Sequence, residues 1–184
     1  MRPRTSPKTF RREDRPCNSV PYSQAIVAKY PEQIVIGIAK QAGGKCNPIT
    51  LGWTMITSHE PAMMAVSIGI TRHSLGVFRN AEEFVVAMPS KAQAVEAMLF
   101  GTKSGRDCDK FAEAGTLLSP AEKVDCVLMA EAVANFECRK VSELPTGDHV
   151  IFVGEVIASH VNPEMPNRLY TLSEGFEMGG LPRG

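Results

Sequence analysis

Apolar and polar residues alternate with period two through most of the chain, which predicts strands rather than helices. In residues 33–40, Ile34, Ile36 and Ile38 alternate with Val35, Gly37 and Ala39, the pattern of a strand buried on both faces. Gly43-Gly44 then supplies a hairpin turn. In residues 49–55, Ile49, Leu51, Trp53 and Met55 point one way and Thr50, Gly52 and Thr54 the other. The first set can fill a core, and the second offers hydroxyls and bare backbone. A second extended segment, 63–70, follows Pro61, and 84–88 is a further short apolar strand. Two long alternating segments, about 124–142 and 148–160, flank Leu144-Pro145-Thr146-Gly147. In the latter, Val150, Phe152, Gly154 and Val156 oppose His149, Ile151, Val153 and Glu155, and a glycine inside a strand predicts a bend or a close backbone approach.

Helical signals are short and few. Thr71-Arg72-His73-Ser74 opens a turn through Leu75, Val77 and Phe78. Ser90 and Gln93 make a capping box before a stripe of Ala94, Val95, Met98 and Leu99 that stops at Gly101 and reads as core. Asp107 can cap a helix containing Lys110, Phe111 and Ala114, and Ser119-Pro120 reads as another helix start. With no regular strand-helix alternation, the fold class is mainly β. A closed or nearly closed antiparallel barrel with a few short covering helices removes the edges that such strands would otherwise expose.

Composition narrows the class. A chain of 184 residues, 43% hydrophobic, builds one domain. Its 20 basic and 20 acidic residues balance, which argues against nucleic acid as a partner. No run approaches the roughly 18 apolar residues of a membrane span, and no signal peptide is visible, so the expected compartment is the cytoplasm. Cys17, Cys46, Cys108, Cys126 and Cys138 are odd in number and scattered. That argues against a disulfide framework and against a metal site, and marks Cys46, beside Asn47, for attention. Residues 1–22, rich in Pro and Arg, are expected to be an extended arm, 23–162 the barrel, and 163–184 an extended segment packed on the barrel or on a dimer partner.

Three polar stretches could converge on a phosphorylated, planar ligand: the Thr50 to Thr54 strand face, the 71–74 cluster and the 104–110 loop. Hydroxyls and backbone N–H groups would take phosphate oxygens, with Arg72 or Lys110 as counter-charge. Hydrolytic chemistry finds no support, because Ser58-His59 lacks a nucleophile elbow and reads as a turn. His149 also reads as a strand residue bonded to Asp148, and Trp53 as a core residue.

The motifs add a resemblance. Asn47, Thr50 and Trp53 form Asn-x-x-Thr-x-x-Trp, followed by Ser58 and Pro61, Ser67, and Thr-Arg-x-Ser at residues 71–74. Further on stand Glu83-Phe84-Val85-Val86, Ser104-Gly105, Asp109-Lys110-Phe111, Phe136-Glu137-Cys138 and Gly147-Asp148-His149. This order resembles the flavin reductase-like, FMN-binding split-barrel family, with Ala62 and Ala87 standing where the family often has Pro and Asn. The resemblance implies an antiparallel Greek-key split barrel acting as a homodimeric oxidoreductase. FMN would be the cofactor and NAD(P)H the hydride donor, with electrons passed to free flavin, ferric iron or a partner protein. It implies that Asn47, Thr50, Trp53, Thr54 and Met55 lie along the flavin ring and ribityl chain. Ser67, Arg72, Ser74 and Ser104 would hold the phosphate side, Lys110 and Phe111 would close over it, and His149 would stand at the nicotinamide or flavin edge. A flavoredoxin-like FMN carrier that binds no nicotinamide, and a cofactor-free interaction module, are the alternatives.

Overall fold

The computed structural model describes residues 17–182. The arm expected over 1–22 therefore lies mostly outside the described residues. Helix α1 (Tyr22–Ala25) and a 3-10 turn (Ile26–Lys29) lead into β1 (Glu32–Gln33), β2 (Val35–Lys40), β3 (Cys46–Leu51), β4 (Thr54–His59) and β5 (Ala62–Gly69). Helix α2 (His73–Asn80) and β6 (Glu83–Met88) follow, then a 3-10 turn (Lys91–Gln93), α3 (Ala94–Thr102) and α4 (Lys110–Ala114). The chain ends with β7 (Leu118–Pro120), β8 (Val127–Met129), β9 (Ala134–Thr146), β10 (His149–Val161), β11 (Asn167–Ser173) and β12 (Glu177–Pro182).

Seven strands form one antiparallel sheet in the order β3-β2-β6-β9-β10-β5-β4. Ile49 and Leu51, near one edge, share a core with Met64, Val66 and Ile68, near the other, so the sheet curls around that core. The edge strands β3 and β4 remain unladdered to each other, the arrangement of a split barrel. The central strands separate two cores, as the double-sided apolar pattern of residues 33–40 requires. Val35, Ala39, Phe84 and Val86 face the first, where the rings of Phe84 and Phe152 stand 5.4 and 5.6 Å from Phe78. Such aromatic contacts add about 0.5–1.5 kcal/mol each beyond simple burial. Ile36, Ile38, Val85 and Ala87 face the second, with Phe100, Phe111, Met129 and Leu169. Among the described residues no helix is long and apolar enough to cross a membrane.

Several sequence expectations change. The alternation of residues 49–55 breaks at Gly52-Trp53, so Ile49 and Leu51 are buried whereas Trp53 and Met55 are about half exposed, at 47% and 54%. Ser58 and His59 end β4, and the turn is Glu60-Pro61. Helix α3 buries Ala97 and Phe100 and leaves Val95 and Met98 outward, a phase shift from the expected stripe. Asp109, whose side chain accepts the Ala112 N–H at 3.2 Å, caps α4 in place of Asp107. Ser119-Pro120 lies in strand β7, paired with β8, because its backbone is recruited into a ladder. The 163–184 segment carries a hairpin, β11-β12, that pairs with β1.

Candidate functional site

A cleft opens where β3 gives way to β4. Its outer part, about 610 Å³, is lined by Gln33, Trp53, Thr54, Met55, Ser67 and His149 among others. Its inner part, about 360 Å³, shares Lys29, Glu32, Gly52, Trp53, Ser67 and His149 with the outer one and adds Thr50, Arg72, Met98, Thr102, Phe176 and Met178. Through Ile49, Arg72, Gly101 and Thr102 it continues into a smaller basin of about 170 Å³, walled by Thr71, His73, Ser74, Ser104, Gly105, Arg106 and Lys110.

The outer cleft is a wall of committed polar groups around an exposed ring. The Thr54 hydroxyl donates to the Ala65 carbonyl at 2.8 Å, and the Thr54 carbonyl accepts from Gln33 Nε2 at 2.7 Å. Trp53 therefore sits on pinned backbone, its carbonyl also accepting the Ser67 N–H at 2.9 Å. The ring lies 4.4 Å from that of His149, tilted by 38°, and His149 Nδ1 is bonded to Asp148 Oδ1 at 2.7 Å. The two-residue Gly147-Asp148 turn closing the β9-β10 hairpin presents this pair. Lys29, paired to Glu32 at 2.6 Å, holds its ammonium 5.8 Å above the Trp53 ring. Thr50 donates to the Ala97 carbonyl at 2.6 Å and so fixes α3 against β3.

The inner basin is cationic, and an unsatisfied polar atom lies behind its Ser74 wall. Arg72 stands at the N-terminus of α2, where no side chain caps the free N–H groups, and makes no ion pair among the described residues. Ser74, nearly fully buried, accepts from Asn47 Nδ2 at 2.8 Å. The Asn47 Oδ1 has no partner among the described residues, although the side chain is buried. A buried polar atom left unpaired is uncommon and fits a site that a ligand completes. A Cβ on Gly105 would run into that same oxygen, so only glycine lets the 104–106 loop approach Asn47. Lys110 is buried, donating to the carbonyls of Pro48 at 2.6 Å and Phe100 at 2.9 Å, and burial pulls it down to about 8. His73 is lowered by burial and by Arg106 and Lys110, which keeps its imidazole mainly neutral at pH 7.

Of the residues singled out from sequence, Thr50, Trp53, Thr54, Met55, Ser67, Arg72 and His149 line the cleft, and Ser74, Ser104 and Lys110 wall the basin, while Asn47, bonded to Ser74, lines the neighbouring groove with Cys46 and Gly105. Phe111 does not join them. It packs edge-on to Phe100 at 5.3 Å in the second core, where an apolar ring gains by burial, and lines a separate groove with Cys46 and Thr116. Sequence reading missed Lys29 and Glu32, the α3 face of Met98 and Thr102, and Phe176 and Met178 of the C-terminal hairpin. Gly175-Phe176, an exposed aromatic after a turn glycine, was the available signal for the last two.

Residues 27–178 match the family described as "Flavin reductase like domain". The chain is 35% identical over 124 residues to an uncharacterized protein of Archaeoglobus fulgidus, covering 67% of each. It is 30% identical over 122 residues to the NADH-dependent FMN reductase AsuE2 of Streptomyces nodosus, covering 65% of this chain and 63% of that one. Among solved structures, flavoredoxin from Methanosarcina acetivorans superposes with a TM-score of 0.79 at 20% identity, over 91% of this chain and 92% of the other.

Proposed function

This chain belongs to the flavin reductase-like domain family, and on that premise we propose that it is an FMN-binding oxidoreductase in which NAD(P)H reduces the flavin by hydride transfer. The observation that carries the reading is the continuity of the cleft. A slot beside the exposed Trp53 and His149 rings runs into a cationic basin walled by Ser74, whose bonded neighbour Asn47 carries a buried oxygen with no partner among the described residues.

The basin suits a phosphate monoester. Arg72 and the open end of α2 supply charge and N–H donors, Ser74 and Ser104 supply hydroxyls, and Lys110 sets a positive potential from beneath. The inner cleft, between Thr50, Gly52 and Met98, has room for a planar ring system. Bound there, a flavin supplies the two-electron redox chemistry itself. The protein holds and orients it, with Trp53 and Met98 excluding water and the Asp148-bonded His149 ring flanking the outer slot, where a nicotinamide has access. Electrons then pass to free flavin, ferric iron or a partner protein, and the enzyme works in the cytoplasm. A homodimer is part of the same reading, supported by the exposed Met55 and Ile56 on edge strand β4.

The test is an absorbance spectrum of the protein after addition of FMN and desalting, followed anaerobically by NADH and then NADPH. Retained flavin that either nucleotide bleaches is the expected result. Retained flavin that neither bleaches replaces the reductase with an FMN electron carrier, and no retained or reducible flavin overturns the proposal. Sedimentation as a monomer at micromolar concentration would remove the dimer.

A further inference from the structure

Cys46 and Cys126 lie 80 positions apart in sequence, yet the fold brings their sulfurs to 3.5 Å. Cys46 opens β3, beside Asn47. Cys126 sits in the turn before β8, its N–H donating to the Val124 carbonyl at 2.9 Å and its carbonyl accepting the Ala121 N–H at 3.3 Å. Lys40, the ladder partner of Cys46, reaches Asp125 at 2.5 Å and 2.6 Å, which sets a cation beside both sulfurs.

We propose that Cys46 and Cys126 are a reversible dithiol-disulfide site, with Cys46 the attacking and Cys126 the resolving thiol toward a hydroperoxide. Access favours this order. Cys46 lines two surface grooves, one with Gln41 and Arg106 and the other with Gly44 and Thr116. Cys126 lies deeper, its sulfur 3.7 Å from the Ile38 carbonyl. The bond with Cys126, in which either sulfur can donate, and the nearby Lys40 charge lower the Cys46 thiol, while that same bond and burial push Cys126 up. Thiolate character on the member that lines the grooves is what nucleophilic attack needs. Among the described residues no other two cysteine sulfurs are within hydrogen-bonding distance of each other. Cys138 is buried and pushed up to about 12 by that burial, and Cys108 is raised by its contact with Glu113.

In the first step the Cys46 thiolate attacks one oxygen of hydrogen peroxide. An S–O bond forms, the O–O bond breaks, and hydroxide leaves and takes a proton to become water. In the second step the Cys126 sulfur attacks Cys46, an S–S bond forms, the S–O bond breaks and the Cys126 proton leaves in a second water. Two electrons pass from the sulfur pair to the peroxide. Closing the gap to a bonded distance of about 2.05 Å requires a side-chain shift of only about 1.5 Å.

The experiment treats the reduced full-length protein with equimolar hydrogen peroxide, blocks free thiols with iodoacetamide and maps the peptides by mass spectrometry. The expected product is an intramolecular Cys46-Cys126 link that dithiothreitol reverses. Cys126→Ser should instead leave a Cys46 sulfenic acid that dimedone traps, and Cys46→Ser should slow oxidation of Cys126 by about ten-fold or more. Circular dichroism of both variants verifies folding. Free Cys46 and Cys126 after treatment of the folded protein, or a dominant link to Cys17 or between chains, overturns the proposal. So does sulfenic acid on Cys126 in the Cys46→Ser protein.

Discussion

The Glu137 carboxylate, without exposed surface, accepts from His160 Nε2 at 2.6 Å. It also accepts the backbone N–H groups of Glu122 at 2.9 Å, Lys123 at 2.6 Å and Val124 at 3.0 Å. One β9 side chain therefore fastens the turn that carries Cys126. Burial alone would raise this carboxyl, but its four donors outweigh burial and hold it below the ordinary carboxylate range.

A depressed folded value means that stability from Glu137 is present above the unfolded value of about 4.3 and is lost as pH falls through the folded value. Thermal melts between pH 7 and pH 3 should show this acid loss, and Glu137→Gln should flatten it. Glu137→Ala, which strands three backbone donors, should cost about 3 kcal/mol at neutral pH, since each buried unpaired group costs about 1–3 kcal/mol.

Arg72→Ala should weaken FMN binding by about 1–3 kcal/mol, the range of a charge-assisted hydrogen bond. Quenching of Trp53, the single tryptophan of the chain, reports the affinity because its ring lines the cleft. An unchanged titration removes Arg72 from the site.

Lys110 titrates at about 8, below its unfolded value of about 10.4. Between those values the unfolded chain binds more protons, so stability should rise with pH across the window, and Lys110→Met should abolish the rise. A bound anion favours the charged ammonium. By linkage FMN affinity should fall as pH climbs through about 8 in the parent protein and run flatter in Lys110→Met, as isothermal titration calorimetry would measure.

Gly154→Ala should destabilise the fold without touching the cleft. Its Cβ would meet Phe84 Cζ at 2.5 Å and Cys138 Cβ at 2.8 Å, and the latter has no freedom to move away. Overpacking of this kind costs about 1–3 kcal/mol, readable as a shift in denaturation midpoint with FMN affinity unchanged.

Local pattern by itself determined the strands of the two cores. Period two in residues 33–40 and in 149–156 is a property of the backbone that any burial of those faces must respect, and Gly154 marked a contact that was real. The order of polar motifs likewise named most residues of the cleft, because hydroxyls and cations at a helix start or a strand face keep their chemistry wherever the fold carries them.

Tertiary structure decided which side chains leave the core. Trp53 turns outward because the β3-β4 break at Gly52 resets the alternation, and Phe111 turns inward because Phe100 offers it an apolar partner. The contributions of Lys29, Phe176 and Met178 depend on the C-terminal hairpin pairing with β1 across about 140 positions, a register that no local window contains. The Cys46-Cys126 approach and the four donors on Glu137 arise in the same way, since long-range pairing brings together groups whose spacing in sequence carries no signal.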